Sequence, residues 1–94
     1  MAIASYKDEA VRRLHRDGVV PRLWRAFAKL ALRKLDMLDA AQVVGDLLSP
    51  PGNRLKALKG DRKGQYSIRI NDQFRICVRW TTSGAEDVEI VDYH

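Results

Sequence analysis

The spacing of apolar positions changes once along this chain, from steps of three and four to near-strict alternation. Behind Pro21, the residues Trp24, Phe27, Ala31, Leu35 and Leu38 recur at helical steps. Proline suits a first helical turn because the N–H it lacks has no intrahelical partner there. The pattern predicts a helix that lays this stripe on a sheet, with both aromatic residues in the core. Before it, a short extended start leads to a second expected helix over residues 5–16, capped by Ser5, with Ala10 and Leu14 on one face and Gly18 ending it. Asp39 is expected to cap a further short helical segment reaching Val44. Ser49-Pro50-Pro51-Gly52-Asn53 is a dense turn signal that closes the helical half.

Beyond that turn the period becomes two. Leu55 and Leu58 lead into a loop bracketed by Gly60 and Gly64. Residues 66–70 read as a strand, Asn71-Asp72 as its turn, and residues 74–80 as the next strand. Residues 81–86 turn again. A last strand is expected over residues 87–93, where Val88 and Ile90 alternate with Asp87 and Glu89. Three antiparallel strands joined by short turns make a meander, covered on one face by the helices. The expected fold class is α+β, in one domain over residues 1–94 without internal repeats.

Composition narrows the class of molecule. At 94 residues and 46% hydrophobic, the chain holds one modest core, and no stretch is apolar enough to cross a membrane. No secretory leader pattern opens it, and its single cysteine, Cys77, sits in an apolar strand pattern without a partner, so a reducing, cytoplasmic setting is expected. Cys77 reads as core filler. The charge is more informative. The chain carries +5, and residues 54–79 hold Arg54, Lys56, Lys59, Arg62, Lys63, Arg69, Arg75 and Arg79 against only Asp61 and Asp72. A solvated polar surface intersperses its signs, whereas this run is one-sided, and it implies nucleic acid or an acidic protein as partner.

Strand parity gives these cations a pattern. Arg75, Cys77 and Arg79 share one side of their strand, as Ser67 and Arg69 do of theirs, so one face of the sheet is expected to be basic. The final Asp92-Tyr93-His94 places a carboxylate, a phenol and an imidazole together. Beside a basic face, these groups supply what RNA cleavage without a metal needs. One group takes the proton of the 2′-hydroxyl, another protonates the departing 5′ oxygen, and cations stabilise the charge on phosphorus. The bland alternatives are an inert surface His94, Arg69 and Arg75 paired across the sheet with Asp72, Glu89 or Asp92, and Tyr66 and Tyr93 at the core edge. Lys56, Lys59, Arg62 and Lys63 would then attract RNA only through the general field. No metal or cofactor is expected. Gly60 and Gly64 lack the spacing of a phosphate loop, and His15, His94 and a lone cysteine form no familiar zinc spacing. His15 reads as a solvent-facing helix residue.

The run Arg54-Leu55-Lys56-Ala57-Leu58-Lys59-Gly60-Asp61-Arg62-Lys63-Gly64-Gln65-Tyr66-Ser67-Ile68, continued by Asn71-Asp72-Gln73-Phe74-Arg75-Ile76 and closed by Asp92-Tyr93-His94, resembles the HigB branch of the RelE/ParE toxin superfamily. The helical half is similar to that family only in length, order and pattern. The resemblance implies a microbial RNase-like RelE/ParE fold and the toxin of a type II toxin–antitoxin pair. The implied activity is a metal-independent, ribosome-dependent messenger RNA endonuclease that inhibits translation. The implied partners are the ribosome and its message, a HigA-like helix-turn-helix antitoxin and, through that antitoxin, operator DNA.

Family roles carry over by position. Asp92, Tyr93 and His94 match the terminal catalytic motif, with His94 as proton-transfer group and Asp92 as its orienter or a second acid–base group. Arg75 matches a phosphate clamp. Lys59 and Arg62 match the basic loop, joined as RNA or phosphate contacts by Lys56, Lys63, Arg69 and Asn71. Some members carry histidine where this chain has Lys56, and a lysine, titrating far above neutrality, serves better as a phosphate cation than as a base. An alternative implied by the same superfamily is a ParE-like toxin that inhibits gyrase by binding it and cuts nothing. A third is a degenerate toxin active only as a DNA-binding complex with its antitoxin.

Overall fold

The computed structural model describes residues 2–92; Met1, Tyr93 and His94 lie outside the described residues. The first helix, α1, spans Glu9–Arg12 and runs on as a π-helical turn over Arg13–Asp17, which Gly18 ends at φ 71°. Asp8 caps it, accepting the Ala10 N–H at 2.9 Å. The expected cap, Ser5, instead accepts the N–H of Asp87 at 2.9 Å and ties the extended start to the last strand. A 3₁₀ turn, Arg22–Phe27, follows Pro21 and leads into α2, Ala28–Ala40. Asp39 therefore lies inside the last turn of α2 and opens no new helix; its carboxylate accepts the N–H of Ile3 at 3.1 Å. Asp46 organises the next segment, the 3₁₀ turn Val44–Leu48, by accepting the N–H groups of Gln42 and Val43. Those two bonds hold the Asp46 carboxyl below its ordinary range.

Among the described residues the sheet has four strands where the pattern predicts three. They are β1 Lys56–Ala57, β2 Gln65–Arg69, β3 Phe74–Thr81 and β4 Gly84–Asp92, antiparallel in the order β1-β2-β3-β4. At two residues, β1 is too short to show a period. β4 begins earlier than expected because Thr82 and Ser83 alone form the turn. A bulge then hides its first half. Asp87, at φ 54°, and Val88 together oppose Val78, so Cys77 pairs with Glu89 while Arg79 pairs with Glu86. Along its outer edge, β4 takes the chain's extended start through parallel bridges Ile3–Ala85 and Tyr6–Val88.

The stripe predicted behind Pro21 lands in the core, Trp24 and Phe27 from the 3₁₀ turn and the rest from α2. Trp24, Phe27, Ala31, Leu35 and Leu38 are buried together with Ile68, Ile70, Ile76, Val78, Val88 and Ile90. Each large aliphatic side chain so buried contributes about 1.5–3 kcal/mol. Phe27 stacks on Phe74 with ring centroids 4.6 Å apart, fixing the start of α2 over the start of β3. His15 is not solvent-facing. Its side chain is 6% exposed, with Nδ1 2.7 Å from the Tyr6 hydroxyl and Nε2 2.9 Å from the Asp36 carboxylate. The imidazole thereby links the extended start, α1 and α2. No helix among the described residues is long and apolar enough to cross a membrane.

Candidate active site

Strand register decides which side chains share the sheet face away from α2. Lys56, Ser67, Cys77 and Glu89 fall in one row, Arg69, Arg75 and Val91 in the next, and Gln65, Arg79 and Glu86 in a third. The expected basic face is thus a mixed one. Arg62 reaches Gln65 at 3.0 Å and Glu89 at 3.2 Å, and Lys7 lies 3.5 Å from the same Glu89. Arg69 pairs with Asp72, one of the acids that the bland reading named. Cys77 is buried, and burial pushes its thiol up, away from the reactive thiolate.

Arg75 is the organised residue of this face. It is 7% exposed; its Nε donates to Ser67 Oγ at 2.8 Å and its Nη2 to the backbone carbonyl of Arg54 at 2.6 Å. Both contacts are part of the folded protein, so the guanidinium plane is set before any ligand arrives. Arg54 presents that carbonyl from a left-handed conformation, φ 47° and ψ 54°, just after the turn Pro51–Asn53. The turn in turn is held from below. Asn53 is fully buried, donates from Nδ2 to the carbonyls of Leu47 at 3.1 Å and Ser49 at 3.4 Å, and accepts from the Lys34 ammonium of α2. Burial lowers the Lys34 pKa, and the nearby Arg33 and Arg69 cations add to the shift. A buried lysine and asparagine thus brace the turn that aims Arg54 at Arg75.

Arg54, Arg69, Asn71, Asp72 and Arg75 line a polar cleft of about 280 Å³ at one end of the sheet. Three guanidiniums against one carboxylate leave it cationic. It suits a phosphodiester, whose paired oxygens match the planar guanidinium fork. Asn71 closes the β2–β3 turn by accepting the N–H groups of Gln73 and Phe74 at 2.9 and 2.8 Å. Lys56, Lys59 and Lys63 are exposed and Arg62 is half-buried, all along the strand and loop that precede β2.

The structure separates two residues that the sequence reading put together. Asp92 pairs with Phe74, so it stands on the α2 side of the sheet, and it accepts from Gln73 Nε2 at 3.0 Å. The neighbour of Arg75 is Val91. Asp92 and Arg75 therefore occupy the same end of the sheet but opposite sides of its pleat. Tyr93 and His94 lie outside the described residues. Sequence reasoning missed Ser67 and the Arg54 carbonyl as supports of Arg75, and Lys34 with Asn53 beneath them. The only signal for that group was the Pro-Pro-Gly-Asn turn, which marks a sharp change of direction without saying what it serves.

Comparison with known proteins agrees with this geometry. Residues 4–94 match the family model described as RelE-like toxin of type II toxin-antitoxin system HigB. Toxin HigB-1 of Vibrio cholerae is 43% identical over 76 residues, covering 80% of each chain. Endoribonuclease HigB of Proteus vulgaris is 28% identical over 92 residues, 98% of this chain and 99% of its own. Among solved structures, the YoeB/ParE toxin from Agrobacterium tumefaciens aligns over 100% of both chains at a TM-score of 0.56 and 18% identity, a likeness of fold. With two helices laid on an antiparallel sheet, an arginine cleft at its end and a family match along nearly the whole length, the chain belongs to the HigB-like family of type II toxin–antitoxin toxins.

Proposed function

We propose that this toxin is an endoribonuclease that cuts messenger RNA on the ribosome in the cytoplasm and so stops translation. The observation that carries the reading is the cationic cleft in which Arg75 is held by Ser67 and the Arg54 carbonyl. The endoribonuclease named among its relatives supports it. In the proposed reaction the 2′-hydroxyl beside the scissile bond loses its proton and attacks phosphorus. The P–O5′ bond breaks, and the departing oxygen takes a proton, leaving a 2′,3′-cyclic phosphate and a 5′-hydroxyl. Arg75, with Arg54 and Arg69, stabilises the extra charge on the phosphoryl oxygens. His94 is the proposed proton-transfer group of the Asp92-Tyr93-His94 motif, with Tyr93 assisting and Asp92, across the pleat from Arg75, limited to orienting it, and Asn71 borders the cleft. Lys56, Lys59, Arg62 and Lys63 attract ribosomal and messenger RNA from the rim. The proposed antidote is a HigA-like helix-turn-helix antitoxin that also ties the pair to operator DNA.

The test is primer-extension mapping of messenger RNA ends in cells expressing the wild type, Arg75→Ala or His94→Ala, with plasmid supercoiling followed in parallel. New ends in translated messages that vanish in both variants, with supercoiling unchanged, support the nuclease. Altered supercoiling without early message cuts favours a gyrase-binding toxin instead.

A further inference from the structure

A second one-signed surface lies on α2 and the 3₁₀ turn before it. Residues 19–35 hold five lysines and arginines and no acid. One of these, Lys34, points inward to Asn53. The others, Arg22 and Arg25 on the 3₁₀ turn and Lys29 and Arg33 on α2, make a ridge of exposed cations along this segment, with Arg25 and Lys29 meeting at one groove. None of the four has a hydrogen bond or ion pair among the described residues. Apolar surface runs beside them. Leu23 is 86% exposed, Val19 42% and Val20 40%. Next to this strip is a mostly apolar groove of about 790 Å³, with Val20, Phe27 and Leu30 in its wall and Arg25 and Lys29 at its rim. Its aromatic wall residue, Phe27, is spent on Phe74, so the groove offers aliphatic surface and not a stacking platform for bases. Exposed aliphatic side chains flanked by cations of one sign complement a helix with an apolar stripe and carboxylates beside it.

We propose that this groove receives an acidic amphipathic helix of the antitoxin. The inference rests on the toxin–antitoxin pairing and not on the nuclease chemistry. The partner's apolar stripe covers Leu23, Val20 and Leu30, and its carboxylates meet Arg25, Lys29 and Arg33. Asn71 lines both this groove and the arginine cleft, so the seated helix stands directly beside the proposed RNA site.

The experiment is titration calorimetry of the full chain with its purified cognate antitoxin, comparing the wild type with Leu23→Ser and with the double variant Arg25→Glu/Lys29→Glu. All three positions are exposed, so the variants keep their core, which thermal unfolding verifies. The expected result is a Kd weakened about tenfold by the first and about a hundredfold by the second, with message cutting in the absence of antitoxin retained. Amide exchange at residues 20–30 is expected to slow when the antitoxin binds. Antitoxin affinity within about threefold of wild type in both variants overturns the proposal. So does loss of message cutting with antitoxin binding intact, which assigns the ridge to RNA. Because calorimetry needs no cleavage, a wild type that binds its antitoxin tightly but cuts no message removes the nuclease reading alone.

Discussion

The guanidinium of Arg75 is fixed to the backbone carbonyl of Arg54 across 21 residues of sequence, at 2.6 Å. The contact joins the end of the helical half to the middle of the sheet, so the cleft exists only when both are in place. Arg75→Ala is expected to lower single-turnover message cleavage by about 100- to 1,000-fold, the usual loss when one preorganised donor to a developing oxyanion is removed. It also leaves Ser67 Oγ and the Arg54 carbonyl short of a donor, at a cost of about 1–3 kcal/mol. Urea unfolding of the same variant separates the two effects.

Arg54→Gly tests the carbonyl apart from the side chain. Glycine adopts φ 47° freely, so the variant keeps the backbone hold on Arg75 and loses only one cation of the cleft. Cleavage is expected to fall by less than in Arg75→Ala, with unfolding stability unchanged or slightly raised. A loss as deep as that of Arg75→Ala would show that the Arg54 guanidinium itself carries the phosphate.

Lys34 gives the fold a pH dependence of known sign. Its folded pKa lies below the unfolded value of about 10.4, so between the two the unfolded chain binds more protons and stability rises with pH. Compared with Lys34→Met, the wild type is therefore expected to gain stability through that alkaline window. Urea midpoints of both proteins from pH 7 to 10 measure the difference. Asn53→Ala, which breaks the bonds to Leu47 and Ser49 and strips Lys34 of its acceptor, is expected to cost about 2–4 kcal/mol at neutral pH.

Much of this architecture was legible in the sequence, and the failures share a cause. The apolar stripe from Trp24 to Leu38 and the strands around Ile68 and Ile76 follow from local periodicity, which one segment carries by itself. Asp8 and not Ser5 caps α1 because Ser5 is drawn to Asp87, 82 residues away, a contact no local pattern reports. The bulge at Asp87 likewise hid the first half of β4. In the candidate site, Arg75 was legible as a cation on the right strand face, but its burial was not, since Ser67 and the Arg54 carbonyl come from separate segments. Asp92 was misplaced for another reason. Adjacent listing in a motif says nothing of which side of the pleat a residue takes, and register with Phe74 decides it.

His15→Ala is expected to destabilise the fold by about 1–3 kcal/mol, since it removes both the Tyr6 and the Asp36 contacts. Tyr6→Phe, which removes one, is expected to cost about 1 kcal/mol. Thermal melts of the two variants test the ranking; equal losses would show that the Asp36 contact adds nothing.

Gly84→Ala is expected to destabilise by more than about 2 kcal/mol. At φ 112° an alanine is strained, and its Cβ would stand 2.2 Å from the Ala2 carbonyl oxygen. Amide exchange at Ala4 and Lys7, whose N–H groups bond to Ala85 and Val88, is expected to quicken first.

That same seam between the extended start and β4 bears on how the fold closes. Residues Ala2 to Lys7 exchange hydrogen bonds with Ala85 and Val88, partners separated from them by the helices and the other three strands. Contacts so distant in sequence close slowly, so the extended start waits on β4 for its partners. Closure then does two things at once: it seals the outer border of the sheet against pairing with other chains and completes the support of α1. The opposite border is only the two residues of β1, with Lys56 among them. A toxin built this way offers little of either border to stray strands once the seam has closed.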